Sequence, residues 1–117
     1  MREIIFYRTS TGKCPVEDFL DTLNNKQVVK ALWVLRLVKE LDFVPKEYFN
    51  KLVNTDNIWE IRVKYGNNIF RILGFIDSNN IIVLTNGFVK KSQKTQKKEI
   101  VLAEQRKKDY LERKNYG

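Results

Sequence analysis

The chain of 117 residues has no histidine, one cysteine, two prolines and five glycines. Without histidine, the one side chain whose ordinary pKa lies near neutrality is missing. A single cysteine, Cys14, excludes an intramolecular disulfide, and no Cys/His spacing suits a metal, so neither metal nor cofactor is expected. No apolar run nears the roughly 18 residues of a membrane span. Ile4-Ile5-Phe6-Tyr7 is far too short for the apolar part of a signal peptide. Repeats, low-complexity tracts and linkers are also lacking. These absences point to a small cytoplasmic domain spanning residues 1–117, burying roughly 65% of its extended-chain surface.

What the chain has in excess is positive charge, unevenly spread. Its net charge is +8, and residues 88–117 hold ten Lys/Arg against four Asp/Glu, which accounts for +6 of it. Lys90, Lys91, Lys94, Lys97 and Lys98 crowd into one short stretch after an apolar strand. Such a local excess suits nucleic acid or another polyanion, although a solvated helix face has the same composition.

The elements follow from pattern. Glu3 to Arg8 reads as a strand, and Pro15 suits the first turn of a helix carrying Val16, Phe19, Leu20 and Leu23 at helical spacing. Asn25 is a candidate cap for a second helix, Lys26 to Leu41, apolar over most of its circumference. That helix is expected to bury more than one face, against a sheet and the preceding helix. Lys51-Leu52-Val53 reads as a short extended piece. Trp59, Ile61 and Val63 then alternate with Glu60, Arg62 and Lys64, and Gly66-Asn67 marks a two-residue turn. Counting from that turn sets Tyr65 against Asn68, Val63 against Phe70, Ile61 against Ile72 and Trp59 against Gly74, where the missing side chain makes room for the indole. On the opposite face Arg62 meets Arg71. Like charges in register repel, so either an anion lies between them or each finds a carboxylate, with Glu60 at hand.

Asp77-Ser78-Asn79-Asn80 reads as a four-residue turn into a third antiparallel strand, Ile81 to Val89. With Ile76 opposite Ile81, the count places Asn86 beside Arg71 and Phe88 one step further along the same face. Lys90 continues that row. Guanidinium contacts with an aromatic ring for stacking suit single-stranded RNA, although Phe88 is equally readable as core. A last helix, capped by Thr95 and running to about Arg113, turns Ile100, Ala103, Tyr110 and Leu111 inward. Lys97 and Lys98 stand in its first turn, where the helix dipole disfavours cations unless a phosphate is bound.

Trp59-Glu60-Ile61-Arg62, Phe70-Arg71-Ile72-Leu73 and Gly87-Phe88-Val89-Lys90-Lys91-Ser92-Gln93-Lys94-Thr95 together resemble the RelE/HigB superfamily of bacterial type II toxins, most closely its HigB-like, phage-related branch. Pro15 to Leu20 fits the first helix of that branch. The resemblance implies a small α+β fold, β-α-α-β-β-β-α. Its antiparallel sheet would be packed by two N-terminal helices and a basic C-terminal helix. It also implies a ribosome-dependent endoribonuclease that cleaves mRNA through attack of the RNA's own 2′-OH, with no metal. By matching position, Arg62, Arg71, Lys90 and Lys91 would act on the scissile phosphate. Lys64, Asn86, Phe88, Lys94, Lys97 and Lys98 would bind RNA. Partners would be mRNA on the ribosome and a cognate antitoxin, expected to carry a helix-turn-helix. The branch often has histidine where this chain has Asn86, so the proton acceptor would be a lysine of lowered pKa, Glu60, Tyr65 or a ribosomal group. A ParE-like gyrase inhibitor and a non-catalytic nucleic-acid-binding module are the alternatives. Arg71→Ala is expected to abolish toxicity without unfolding the chain.

Overall fold

The computed structural model describes residues 1–78, 80–90 and 96–116. Its elements in order are β1 (Glu3–Phe6), α1 (Pro15–Asp21), α2 (Asn25–Glu40), β2 (Phe49–Lys51), β3 (Trp59–Tyr65), β4 (Asn68–Asp77), β5 (Ile81–Val89) and α3 (Lys97–Tyr116). The five strands form one sheet in the order β1-β5-β4-β3-β2. The class is α+β, compatible with a RelE-like fold. Two features depart from the expected pattern. The sheet is mixed, because β1 runs parallel to β5, and the extended piece forms two residues earlier, as an edge strand pairing Phe49–Lys51 with β3.

The β3–β4 hairpin has the register counted from its turn, from Tyr65↔Asn68 to Trp59↔Gly74, with Arg62 opposite Arg71. Gly66 carries the positive φ of 58° that a tight hairpin turn requires at its first position. The β4–β5 pairing differs. Asp77 pairs Ile81, so the turn is one residue shorter than expected, and a bulge between Leu73 and Gly74 leaves Thr85 as the extra residue. Shortening the turn by one would invert every side chain of β5; the bulge inverts them back. Phe88 and Asn86 therefore stay on the Arg71 face but slide two residues along it, so Phe88, not Asn86, lies opposite Arg71.

The helices divide the two faces. Val16 and Leu20 of α1 and Ala31, Val34, Leu35 and Val38 of α2 cover one face, meeting Ile61, Val63, Phe70, Ile72, Ile82 and Leu84. Helix α2 starts one residue earlier than expected. Asn24 is its cap, accepting from the Gln27 N–H while the Gln27 side chain accepts from the Asn24 N–H. Only one side of α2 is buried. Val29, Leu32 and Trp33 stay exposed, in contrast to the expectation of burial on several sides. Gly87 admits the Phe19 ring, which a Cβ there would strike at 2.5 Å.

The other face lies under α3, whose inward residues are those expected: Ile100 and Ala103 against Ile58, Leu73 and Phe88, and Tyr110 and Leu111 against Phe75 and Val83. At its far end, the Tyr7 hydroxyl donates to Asp109 at 2.6 Å, and Arg113 pairs with the same carboxylate. Burial and this bond raise the Tyr7 pKa above 10.0, and the same bond lowers that of Asp109 below 3.8. The bond therefore stabilises fully between those two values. It fades as pH rises through the raised tyrosine pKa, and as pH falls through the lowered aspartate one. Tyr7→Phe should cost about 1 kcal/mol near neutrality, with the deficit shrinking as pH rises through the raised tyrosine pKa, as read by urea unfolding across that pH range. Among the described residues no helix is long and apolar enough to cross a membrane.

Candidate nucleic-acid interface

Strands β3, β4 and the end of β5 turn one set of side chains toward the α3 side of the sheet. Strand alternation puts Glu60, Arg62 and Lys64 on this side of β3, with Arg71 and Phe88 facing each other on β4 and β5. Lys90 follows β5 and extends its pairing by one bond, its N–H donating to the Ile69 carbonyl at 2.8 Å.

The two arginines that face each other have different roles. Arg71 is buried and forms an ion pair with Glu60, also buried, their side chains 6% and 2% exposed. Its charge is thus balanced within the protein. Arg62 is half-exposed, and among the described residues neither it nor Lys64 nor Lys90 forms an ion pair with a carboxylate. Loss of hydration, then the positive charges of Arg71 and Arg62, pull the Lys90 pKa below 10.5, against a smaller opposing pull from Glu60. An ammonium in that setting gives up its proton more readily than a free lysine.

Asn86 and Phe88 lie elsewhere than a strand-only count implies, because α3 covers them. Asn86 is 3% exposed; its amide donates to the backbone oxygen and side chain of Glu99 and accepts from the Thr85 hydroxyl. It ties the end of the sheet to the first turn of α3 and offers nothing to an RNA in this arrangement. Phe88 is 9% exposed and packs with Ile58, Leu73 and Ala103, so it is core in this conformation and not an open stacking surface. Lys97 and Lys98 begin α3 and are exposed. Lys91, Lys94 and the Thr95 cap lie outside the described residues.

One part of the surface has no counterpart in the expected site. A groove of about 490 Å³ at the outer edge of β3 is lined by Lys30, Glu47, Tyr48, Arg62, Lys64 and Ile69. Lys30 reaches it from α2, on the other side of the sheet. Sequence pattern marks Lys30 only as a polar break in an apolar helix, and nothing local says which edge it meets. Among the described residues no three His, Cys, Asp or Glu side chains gather in a way that could hold a metal ion.

A sequence model described as phage-derived protein Gp49-like (DUF891) matches residues 18–108, most of the chain and all of the surface described above. The chain belongs to the Gp49-like family. That family is RelE-like and toxin-like, in keeping with the coarse resemblance in the sequence. No curated protein matches the chain. The family match covers α2 through most of α3, so the row Arg62, Arg71 and Lys90 belongs to the family region, not to an appended segment.

Proposed function

We propose that this Gp49-like chain is the toxin of a type II toxin–antitoxin pair and acts as a ribosome-dependent mRNA endoribonuclease of HigB type. The observation that carries this reading is the pairing of a half-exposed Arg62 with a lysine, Lys90, whose pKa is held down beside it. The reaction needs no protein nucleophile. The 2′-oxygen of one nucleotide bonds to the adjacent phosphorus while the bond to the 5′-oxygen breaks, leaving a cyclic phosphate and a 5′-hydroxyl.

Arg62 faces the phosphate and stabilises the charge that builds on its oxygens, the kind of preorganised contact that contributes most in such steps. Lys90, in its amine form, takes the 2′-OH proton, a role left open by the absence of histidine, and the departing 5′-oxygen takes a proton from the ammonium so formed or from water. Arg71 acts behind them, balanced by Glu60, setting the local potential and the register of the row. Lys64, Lys97 and Lys98 hold backbone phosphates around this centre, and Lys91 and Lys94 adjoin Lys90 in sequence as further phosphate contacts. The ribosome positions the mRNA, and a cognate helix-turn-helix antitoxin silences the toxin.

Inducing the wild-type chain alone should arrest growth, with primer extension showing cuts in translated mRNA and none when ribosomes are omitted. Lys90→Ala should lower the cleavage rate about 10²- to 10⁴-fold while keeping the fold. Because the amine fraction grows with pH, wild-type cleavage should rise with pH toward the depressed lysine pKa. Lys90→Arg should flatten that rise. Normal growth with soluble wild-type protein would refute the toxin reading, and supercoiling defects with intact mRNA would point to gyrase.

A further inference from the structure

The sheet changes character at Arg62. Strand β2 pairs with β3 only at Trp59–Ile61, and the bond from the Arg62 N–H to the Tyr48 carbonyl, 2.9 Å, closes that pairing. Beyond it, strand alternation turns the Lys64 N–H toward the same, now open, edge. The groove described above wraps this edge, with Arg62 and Lys64 on the α3 side and Lys30 entering from α2. Three cations face it against one carboxylate, Glu47.

Among the described residues Lys30 forms no ion pair with a carboxylate. Its ammonium lies 4.5 Å from the centre of the Trp33 ring, and Trp33 in turn meets the Tyr48 ring edge-on at 5.8 Å. A cation steadied by an aromatic face keeps its full charge available to an anion. Tyr48 adds a π-surface to the wall. Arg62 and Lys64 stand two residues apart on one strand, roughly 6.8 Å, comparable to the step between successive phosphates of an extended single strand. Basic side chains spaced along a groove with an aromatic wall are the combination that holds single-stranded nucleic acid.

We infer that this groove is a second nucleotide subsite for the same RNA strand, one step from the Arg62–Lys90 centre. A phosphate lies between Lys64 and Lys30, and the attached base packs against Tyr48. The Glu47 carboxylate accepts a hydrogen bond from a ribose hydroxyl or base amino group, a contact that a backbone phosphodiester, which has no O–H, cannot supply. The inference rests on the RNA reading proposed above and extends it to Lys30, Glu47 and Tyr48.

The test uses the full chain and end-labelled uridine oligomers, with fluorescence anisotropy across a range of salt concentrations. A dimer should fill only the central site, whereas a hexamer should reach the groove. Lys30→Ala should weaken the hexamer about fivefold and lower its log–log salt slope by about 0.7, leaving the dimer unchanged. Lys30→Gln should behave alike and Lys30→Arg should restore binding, with circular dichroism confirming the fold of each. Lys90→Ala should weaken both oligomers. If Lys30→Ala and Lys30→Gln bind the hexamer like wild type while Lys90→Ala does not, the groove is not a subsite and the central reading survives. If neither position affects binding, or the wild-type chain binds no oligomer, the groove is not a subsite, whereas the ribosome-dependent reading falls only on the growth and primer-extension results above.

Discussion

Arg71→Ala is expected to lower stability by about 3–5 kcal/mol, the usual cost of breaking a buried ion pair by removing one partner. Glu60 and Arg71 are both nearly closed to solvent, so truncating the arginine takes a guanidinium from a carboxylate that water hardly reaches. For a domain whose total stability is about 5–15 kcal/mol, that loss is a large share. The burial argues against the expectation that Arg71→Ala leaves the fold intact. Its loss of toxicity would report unfolding as much as chemistry, whereas Arg62→Ala and Lys90→Ala remove groups that already meet solvent. The double change Glu60→Leu with Arg71→Met should be less destabilised than Arg71→Ala, because it removes both charges and keeps the volume. Urea unfolding of the three proteins decides it. A single Arg71→Ala within about 0.5 kcal/mol of wild type, the range of ordinary surface changes, would show that the pair contributes little to the fold.

Gly74→Val should be the other severe change. A Cβ at Gly74 would meet the Val83 carbonyl oxygen at 2.4 Å and the Leu84 Cα at 3.1 Å, both backbone atoms of the neighbouring strand beside the bulge. Neither can swing aside as a side chain would, so the strands must separate or the bulge must move. A cost of about 3 kcal/mol or more follows, at the upper end for overpacking. The reason differs from the one the sequence suggests. Trp59 does face Gly74, but the atoms that a Cβ would meet first belong to β5 and not to the indole. Thermal unfolding of Gly74→Ala and Gly74→Val, with wild-type midpoints for both, would show that the strand can yield.

The legible parts of this fold were those with local rules. A Gly-Asn turn between two alternating strands carries its own register, so the Arg62–Arg71 rung could be counted from residue types alone. The inward stripe of α3 was equally plain. The direction of β1 was not, since its partner lies far along the chain and a strand pattern reads the same in parallel or antiparallel pairing. The β4–β5 register failed because it depended on an assumed loop length, and a bulge at Thr85 has no signature in apolar alternation. The candidate site was legible as a face and a set of cations. What could not be read was how much of that face α3 covers. Asn86 and Phe88 share the face with Arg71, yet the helix encloses them, while Arg62, Lys64 and Lys90 remain partly or fully open. The groove with Lys30 needed three-dimensional proximity between α2 and the unpaired end of β3.

The short connection between Asp77 and Ile81 and the bulge at Thr85 act as two compensating shifts of reading phase. Thr85 is held there, its single hydroxyl proton shared between the Asn86 side-chain oxygen and the Leu73 carbonyl, and its own carbonyl accepting from Arg106. The segment between Asp77 and Lys90 therefore tolerates length changes by parity. Gaining or losing one residue between turn and bulge would carry the basic end of β5 to the wrong side of the sheet, whereas a matched pair of changes would return it. Among relatives of this chain, lengths in this hairpin should accordingly vary in twos, or in ones with a bulge gained or lost.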